Sequence, residues 1–165
     1  MFSGKYFVEK LYLIEHPEGG YYNECLRSGD KIDATSVDPS FGGERRLWTS
    51  IYFLLKDRDV SRFHRLKSDE IWYYHSGVPM VIHIINKNGE LERVKLGVDI
   101  ERGERPQVLI PKGSIFGAIM DGTGYSLAGC MVSPGFEFDD FELLEREELI
   151  KMYPQHEFII KRLTK

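Results

Sequence analysis

The stretch Ser61-Arg-Phe-His-Arg-Leu-Lys-Ser-Asp-Glu-Ile-Trp-Tyr-Tyr-His-Ser-Gly77 alternates apolar and polar residues on either side of a short turn at Lys67-Ser68. Alternation of this kind is the signature of half-buried β-strands, whose side chains point to opposite faces in turn. If His64 points inward then Leu66 does too, and Phe63 and Arg65 point out. Past the turn, Glu70, Trp72 and Tyr74 share one face and Ile71, Tyr73 and His75 the other, so His75 is not expected beside His64. About thirty-five residues on, Pro111-Lys112-Gly113 supplies a second tight turn, after which Phe116 falls on a strand.

The surrounding chain reads as more of the same. Strands are expected over Tyr21–Arg27, Trp48–Leu55, Val60–Leu66, Glu70–Tyr74, Met80–Ile85, Leu91–Val94, Gln107–Ile110, Ser114–Ile119 and Tyr125–Val132. Turn signals at Asn88-Gly89, Gly103, Lys112-Gly113 and Asp121-Gly122 separate many of them. In the first strand Tyr21, Asn23, Cys25 and Arg27 share one face and Tyr22, Glu24 and Leu26 the other; one of the two should line an interior. Lys5–Ile14 has helical spacing and stops before Pro17. After Pro134-Gly135, residues 139–152 combine dense acidic residues with Phe141, Leu144, Leu149 and Ile150 in a helical rhythm, and a last helix is expected over His156–Leu163. Many short strands with regular punctuation define an all-β sandwich or barrel with short flanking helices at both termini.

His64, Glu70 and Gly77 match the first motif of the cupin superfamily, H-x-H-x(3,4)-E-x(6)-G, with Leu66 in place of its second histidine. Pro111-Lys112-Gly113 matches the second motif, with Phe116 where a third histidine usually stands. His16-Pro-Glu-Gly-Gly20 and Ser133-Pro-Gly-Phe-Glu-Phe-Asp-Asp-Phe-Glu142 further resemble the branch called cupin family five, whose activity is unassigned. The resemblance runs from about Val8 to Leu163. It implies a double-stranded β-helix, the cupin jelly roll, as one domain over 1–165, with a helix at 5–14, a barrel at about 19–133 and helices at about 139–163. It also implies a homodimer and an internal pocket for a small-molecule ligand.

Two of the four usual metal ligands are missing, and a lone His with a lone Glu holds first-row metals poorly, so neither metal nor other cofactor is expected. His64 and Glu70 are the candidate catalytic pair, the carboxylate orienting the imidazole as a general base. Tyr21, Tyr52 and Tyr74 are candidate acids on the opposite wall, and Arg27 can grip a carboxylate or phosphate. Glu24, Trp72, Gln107, Phe116 and Cys130 complete the expected substrate-binding wall. This set resembles the metal-independent deoxysugar-nucleotide epimerases of the superfamily, which implies an isomerase or epimerase acting on a carbohydrate-like substrate. No set of residues for a nucleotide diphosphate is found. The alternatives are a binding module that holds a metabolite unchanged and a metalloenzyme using Glu24 or Cys130 as substitute ligands.

Composition narrows the rest. A net charge of −4, from 22 basic and 26 acidic residues, opposes a phosphate-neutralising nucleic-acid surface. No membrane span or secretory leader is legible, so a cytoplasmic protein is expected. Two cysteines, Cys25 and Cys130, are too few for a disulfide framework and read as reduced thiols. No nucleophile elbow, P-loop or dinucleotide fingerprint occurs.

Overall fold

In the computed structural model, which describes residues 2–165, the alternating segments form strands much as their period demands. In chain order the elements are α1 (Gly4–Lys10), β1 (Ile14–Glu15), β2 (Tyr21–Arg27), β3 (Lys31–Asp33), β4 (Glu44–Arg46), β5 (Thr49–Lys56), β6 (Val60–Leu66) and β7 (Asp69–Gly77). Then follow β8 (Met80–Ile85), β9 (Leu91–Leu96), β10 (Glu104–Arg105), β11 (Gln107–Ile110), β12 (Ile115–Met120), β13 (Tyr125–Ser133), β14 (Phe141–Leu143), α2 (Arg146–Met152) and α3 (Glu157–Arg162).

Two six-stranded sheets result, ordered β1-β2-β5-β13-β7-β11 and β10-β9-β8-β12-β6-β14, with β3 and β4 as a separate hairpin. Pairing is antiparallel except between β9 and β10. Sheet neighbours that are distant in sequence are the mark of a jelly roll. The inner faces meet in one core around Phe53, Trp72, Ile82, Phe116, Ala128 and Cys130. Phe63 points out of the sandwich as expected, yet it is fully buried, because α2 and α3 cover that face with Leu149, Ile160 and Leu163. On the other sheet's outer face α1 packs Phe7 and Val8 against Leu54 and Leu127.

Three boundaries differ from expectation. The first helix ends at Lys10, and Ile14-Glu15 instead pair with Tyr22 and Tyr21 as an edge strand. The stretch between residues 30 and 47, which carries no readable period, is the β3–β4 hairpin with a 3-10 turn at Ala34–Ser36. The helix expected from residue 139 begins only at Arg146. Before it, Phe138–Asp140 is a 3-10 turn, and Phe141–Leu143 adds to β6 opposite Leu66 to His64, so the barrel extends beyond residue 133. Tertiary contact decides that change: Asp140 accepts two hydrogen bonds from Arg45, at 2.6 and 2.9 Å, with both side chains buried.

Candidate functional site

A cavity of about 260 Å³ opens between the two sheets at the end where the first loop, the β6 strand and the segment 136–141 converge. His64, on β6, and Glu70, Trp72 and Cys130, on β7 and β13, all line it, as the period-two reading requires. Leu66 lines it as well, in the place of a missing ligand. Phe116 packs behind the His64 ring, with centroids 4.0 Å apart.

The carboxyl that meets His64 is Glu18 rather than Glu70. Glu18 Oε2 lies 3.2 Å from His64 Nε2 and 3.4 Å from His16 Nδ1, while Ser61 Oγ donates to its Oε1 at 2.7 Å. His64 Nδ1 is 2.7 Å from the Arg62 carbonyl. A carbonyl only accepts, so Nδ1 carries the proton and Nε2 presents its lone pair to Glu18. His16 Nδ1 accepts from the Glu18 amide at 3.2 Å, which fixes the opposite tautomer on that ring.

The glycines of the first loop explain how Glu18 arrives there. Gly19 and Gly20 have φ of +108° and +69°, and a β-carbon on Gly19 would collide with the Val60 carbonyl. Only a residue without a side chain lets the loop lie that close to β6. The backbone is then tied down by Arg62 N–H donating to Glu18 O at 2.8 Å and by the Arg62 guanidinium on the Pro17 carbonyl.

Burial sets the protonation of the group. It pushes His64 down to about 3 and His16 down to about 4. Glu18 is raised well above the usual carboxylate range by burial and by the neighbouring Glu70, despite the Ser61 hydrogen bond. Glu70 is raised to about 8 by burial, against a smaller pull from Trp72 and Cys130. Glu70 therefore holds its proton at neutral pH, and the upward displacement of Glu18 favours its protonated form, in which the carboxyl donates toward His64 Nε2. The buried titratable groups around His64 are thus held toward their neutral forms within a mostly apolar cavity.

The remaining expectations divide by strand geometry. Glu24 lines the cavity, and a β-bulge between Glu24 and Leu26 resets the alternation of β2 so that Arg27 lines it too and pairs with Glu24. Tyr21 lies on the opposite face, beneath Lys56 and in the cluster below α1, so Tyr22 takes the cavity wall instead. Tyr52 is also on that outer face, 6.0 Å from His75. Tyr74 shares the face of Trp72 but sits one step too far along, with its hydroxyl donating to Gly77 O at 2.6 Å. Gln107 is exposed because β11 buries only its alternate residues, Val108 and Ile110. None of Tyr21, Tyr52, Tyr74 or Gln107 reaches the cavity.

Sequence reasoning missed His16, Glu18, Tyr22 and the aromatic wall of Phe136, Phe138 and Phe141. The available signal was His16-Pro-Glu-Gly-Gly20 itself: two titratable residues directly ahead of a glycine pair demand a reason beyond the turn.

As a metal site the donor set does not fit. Leu66 and Phe116 are apolar, Glu24 is engaged by Arg27, and burial keeps the Cys130 thiol protonated. Ser61 and His64 hold the Glu18 carboxyl, and His16 Nδ1 is taken by the Glu18 amide. Among the described residues no group of three or more His, Cys, Asp or Glu is arranged to hold a metal ion.

A jelly-roll sandwich with an end-on, mostly apolar cavity is the architecture of a cupin. The family model described as Cupin superfamily (DUF985) matches residues 5–144, and the chain belongs to that family. It is similar to protein SO0799 from Shewanella oneidensis, with 49% identity and a TM-score of 0.90 over 100% of this chain and 99% of that one. A hypothetical protein from Leishmania major is 40% identical, with a TM-score of 0.90 over 99% of each chain. The uncharacterized protein YML079W of Saccharomyces cerevisiae is 30% identical over 152 residues, 84% of this chain and 74% of that protein. Oxalate decarboxylase from Bacillus subtilis, at 16% identity and a TM-score of 0.55 over 90% of this chain and 36% of its own, shares the fold alone. No helix among the described residues is long and apolar enough to cross a membrane.

Proposed function

We propose that this cupin binds a small carbohydrate-like molecule in the cavity and acts on it as a metal-independent isomerase or epimerase. The observation that carries the reading is the 3.2 Å contact between Glu18 and His64 Nε2, with Nδ1 locked on the Arg62 carbonyl. A neutral imidazole lone pair and a protonated carboxyl side by side form an acid–base couple that needs no metal. When a substrate carbonyl oxygen takes the Glu18 proton in place of His64 Nε2, the freed His64 lone pair takes a proton from the carbon next to that carbonyl. The enediol that results returns to product by the reverse transfers on either face or carbon, and no net charge is created in the buried site. Glu18 thus replaces Glu70 as the partner of His64, and the dyad resembles that of the deoxysugar epimerases in kind.

Solvent exchange tests this. A panel of keto-sugars incubated with the protein in deuterated buffer is expected to gain deuterium next to the carbonyl, by NMR or mass spectrometry. His64→Ala and Glu18→Ala should each slow exchange by roughly 10²-fold or more while the circular dichroism spectrum is retained. Absence of exchange across the panel in the unmodified protein overturns the catalytic reading. The second reading, a module that binds without turnover, is favoured by the unpaired buried polar atoms of Glu70 and Trp72, which offer hydrogen bonds without demanding proton transfer.

A further inference from the structure

Among the described residues of the cavity wall, three buried polar atoms complete no hydrogen bond; Glu24 Oε1 is met by the Arg27 guanidinium, whereas Glu70 Oε2 and Trp72 Nε1 have no such partner. The latter two belong to alternate residues of β7 and so project from the same face, with side chains that are only 6% and 1% exposed. The indole and the Cys130 thiol are near enough to moderate the acidity of Glu70, yet neither completes a hydrogen bond of normal geometry to Oε2 or from Nε1. An indole N–H can only donate, and a buried donor left unpaired costs about 1–3 kcal/mol. Two such atoms side by side on a wall otherwise built from Ile51, Phe53 and Val132 are not accounted for by packing.

We infer that Trp72 Nε1 and the Glu70 carboxyl form one seat for an uncharged oxygen, so that the ligand class is a small α-hydroxycarbonyl compound that enters with a neutral hydroxyl or carbonyl leading. This rests on the reading of the cavity as a ligand site and adds which end goes in and with what chemistry. A hydroxyl accepts from the indole and exchanges a hydrogen bond with the carboxylic acid; a carbonyl accepts from both. A carboxylate or phosphate would bring a net charge to a seat whose own carboxyl has no cation acting on it. The guanidiniums that line the cavity belong to Arg27, which is mostly exposed and paired with Glu24, and Arg46, which donates to the Ser28 and Gly29 carbonyls toward solvent. Burying an unpaired ion costs far more than the two hydrogen bonds return. Glu70 serves here as a neutral acid, in keeping with the rise of its pKa on burial.

The test uses L-erythrulose, an uncharged α-hydroxyketone, titrated into the full-length ¹⁵N-labelled protein. The chain has two tryptophans, Trp48 and Trp72, so its two indole N–H resonances can be assigned with Trp48→Phe. The Trp72 resonance is expected to move on binding and the Trp48 resonance to stay. Glu70→Leu and Trp72→Phe should each weaken binding about tenfold or more, and Glu70→Gln, which keeps a neutral donor and acceptor, should stay within about threefold of the parent. Thermal melts of each variant confirm folding, and Trp72→Phe retains the packing of an aromatic ring.

A titration that moves the His16 and His64 imidazole signals but leaves the Trp72 indole still overturns the seat and leaves the cavity reading standing. Loss of binding in Glu70→Gln as large as in Glu70→Leu overturns the neutral-acid role. No response at any cavity residue overturns the assigned ligand class and leaves the acid–base reading to the exchange panel.

Discussion

Glu70 shows how a single buried carboxyl ties stability to pH. In the folded chain it titrates at about 8, against an ordinary 4.5. Between those values the native state keeps a proton that the unfolded chain has released, so stability falls as pH rises from 4.5 to 8 and falls no further above it. The slope approaches ~1.4 kcal/mol for each pH unit. Glu70→Gln, a neutral isostere, removes that dependence: the variant should match the parent near pH 4.5 and exceed it at pH 8 by on the order of 2 kcal/mol or more. Urea unfolding of both proteins at the two pH values measures this, and parallel curves would show that Glu70 is ionised in the native cavity. His64, Glu70 and Trp72 were legible as inward-facing residues because a strand fixes facing by parity alone, whereas for Glu24 parity left open which face of its strand points inward. His16 and Glu18 were not legible, because they sit in a loop whose path is set by contact with Val60 and Leu54, some forty residues away.

That loop makes the larger pieces interdependent. His16 N–H donates to Gly20 O at 3.0 Å, Gly19 N–H to His16 O at 2.9 Å, and β6 holds the turn from below through Arg62. Gly19→Ala forces a side chain into left-handed backbone and against the Val60 carbonyl, so the loop must lift from β6. A destabilisation of about 2 kcal/mol or more is expected, together with separation of Glu18 from His64. Denaturant melts give the first, and the shift of the His64 imidazole resonances in the folded variant gives the second; a variant with parental stability and unchanged imidazole signals would mean the close approach is not required. The strand pattern was readable elsewhere: β6, β8 and β11 have the bounds their alternation predicts. Residues 139–145 were not readable, because a helical rhythm of Phe141 and Leu144 is overridden by the Arg45–Asp140 pair and by the open edge of β6, which no local periodicity encodes.

Five buried titratable groups together set the pH at which the chain is most stable. His16, His64 and His83 are all pushed down by burial, to about 4, 3 and 4, while Glu18 and Glu70 are pushed up. Above the ordinary histidine value of 6.5 the imidazoles are neutral in both states. There the native state holds the two carboxyl protons that the unfolded chain lacks, so stability falls as pH rises. Between 4.5 and 6.5 the unfolded chain gains three imidazole protons, more than the at most two carboxyl protons that the native chain keeps. Stability therefore rises with pH over that interval. Below 4.5 the carboxyls are protonated in both states and all three imidazoles act against the fold, so the acid flank steepens. The urea midpoint plotted from pH 4 to pH 9 is expected to peak near 6.5. In the double variant Glu18→Gln/Glu70→Gln the alkaline flank should flatten and the acid flank persist. A parent protein whose midpoint climbs steadily to pH 9 would mean that the two carboxyls are ionised in the native state, and with them would go the neutral acid–base couple on which the proposed chemistry depends.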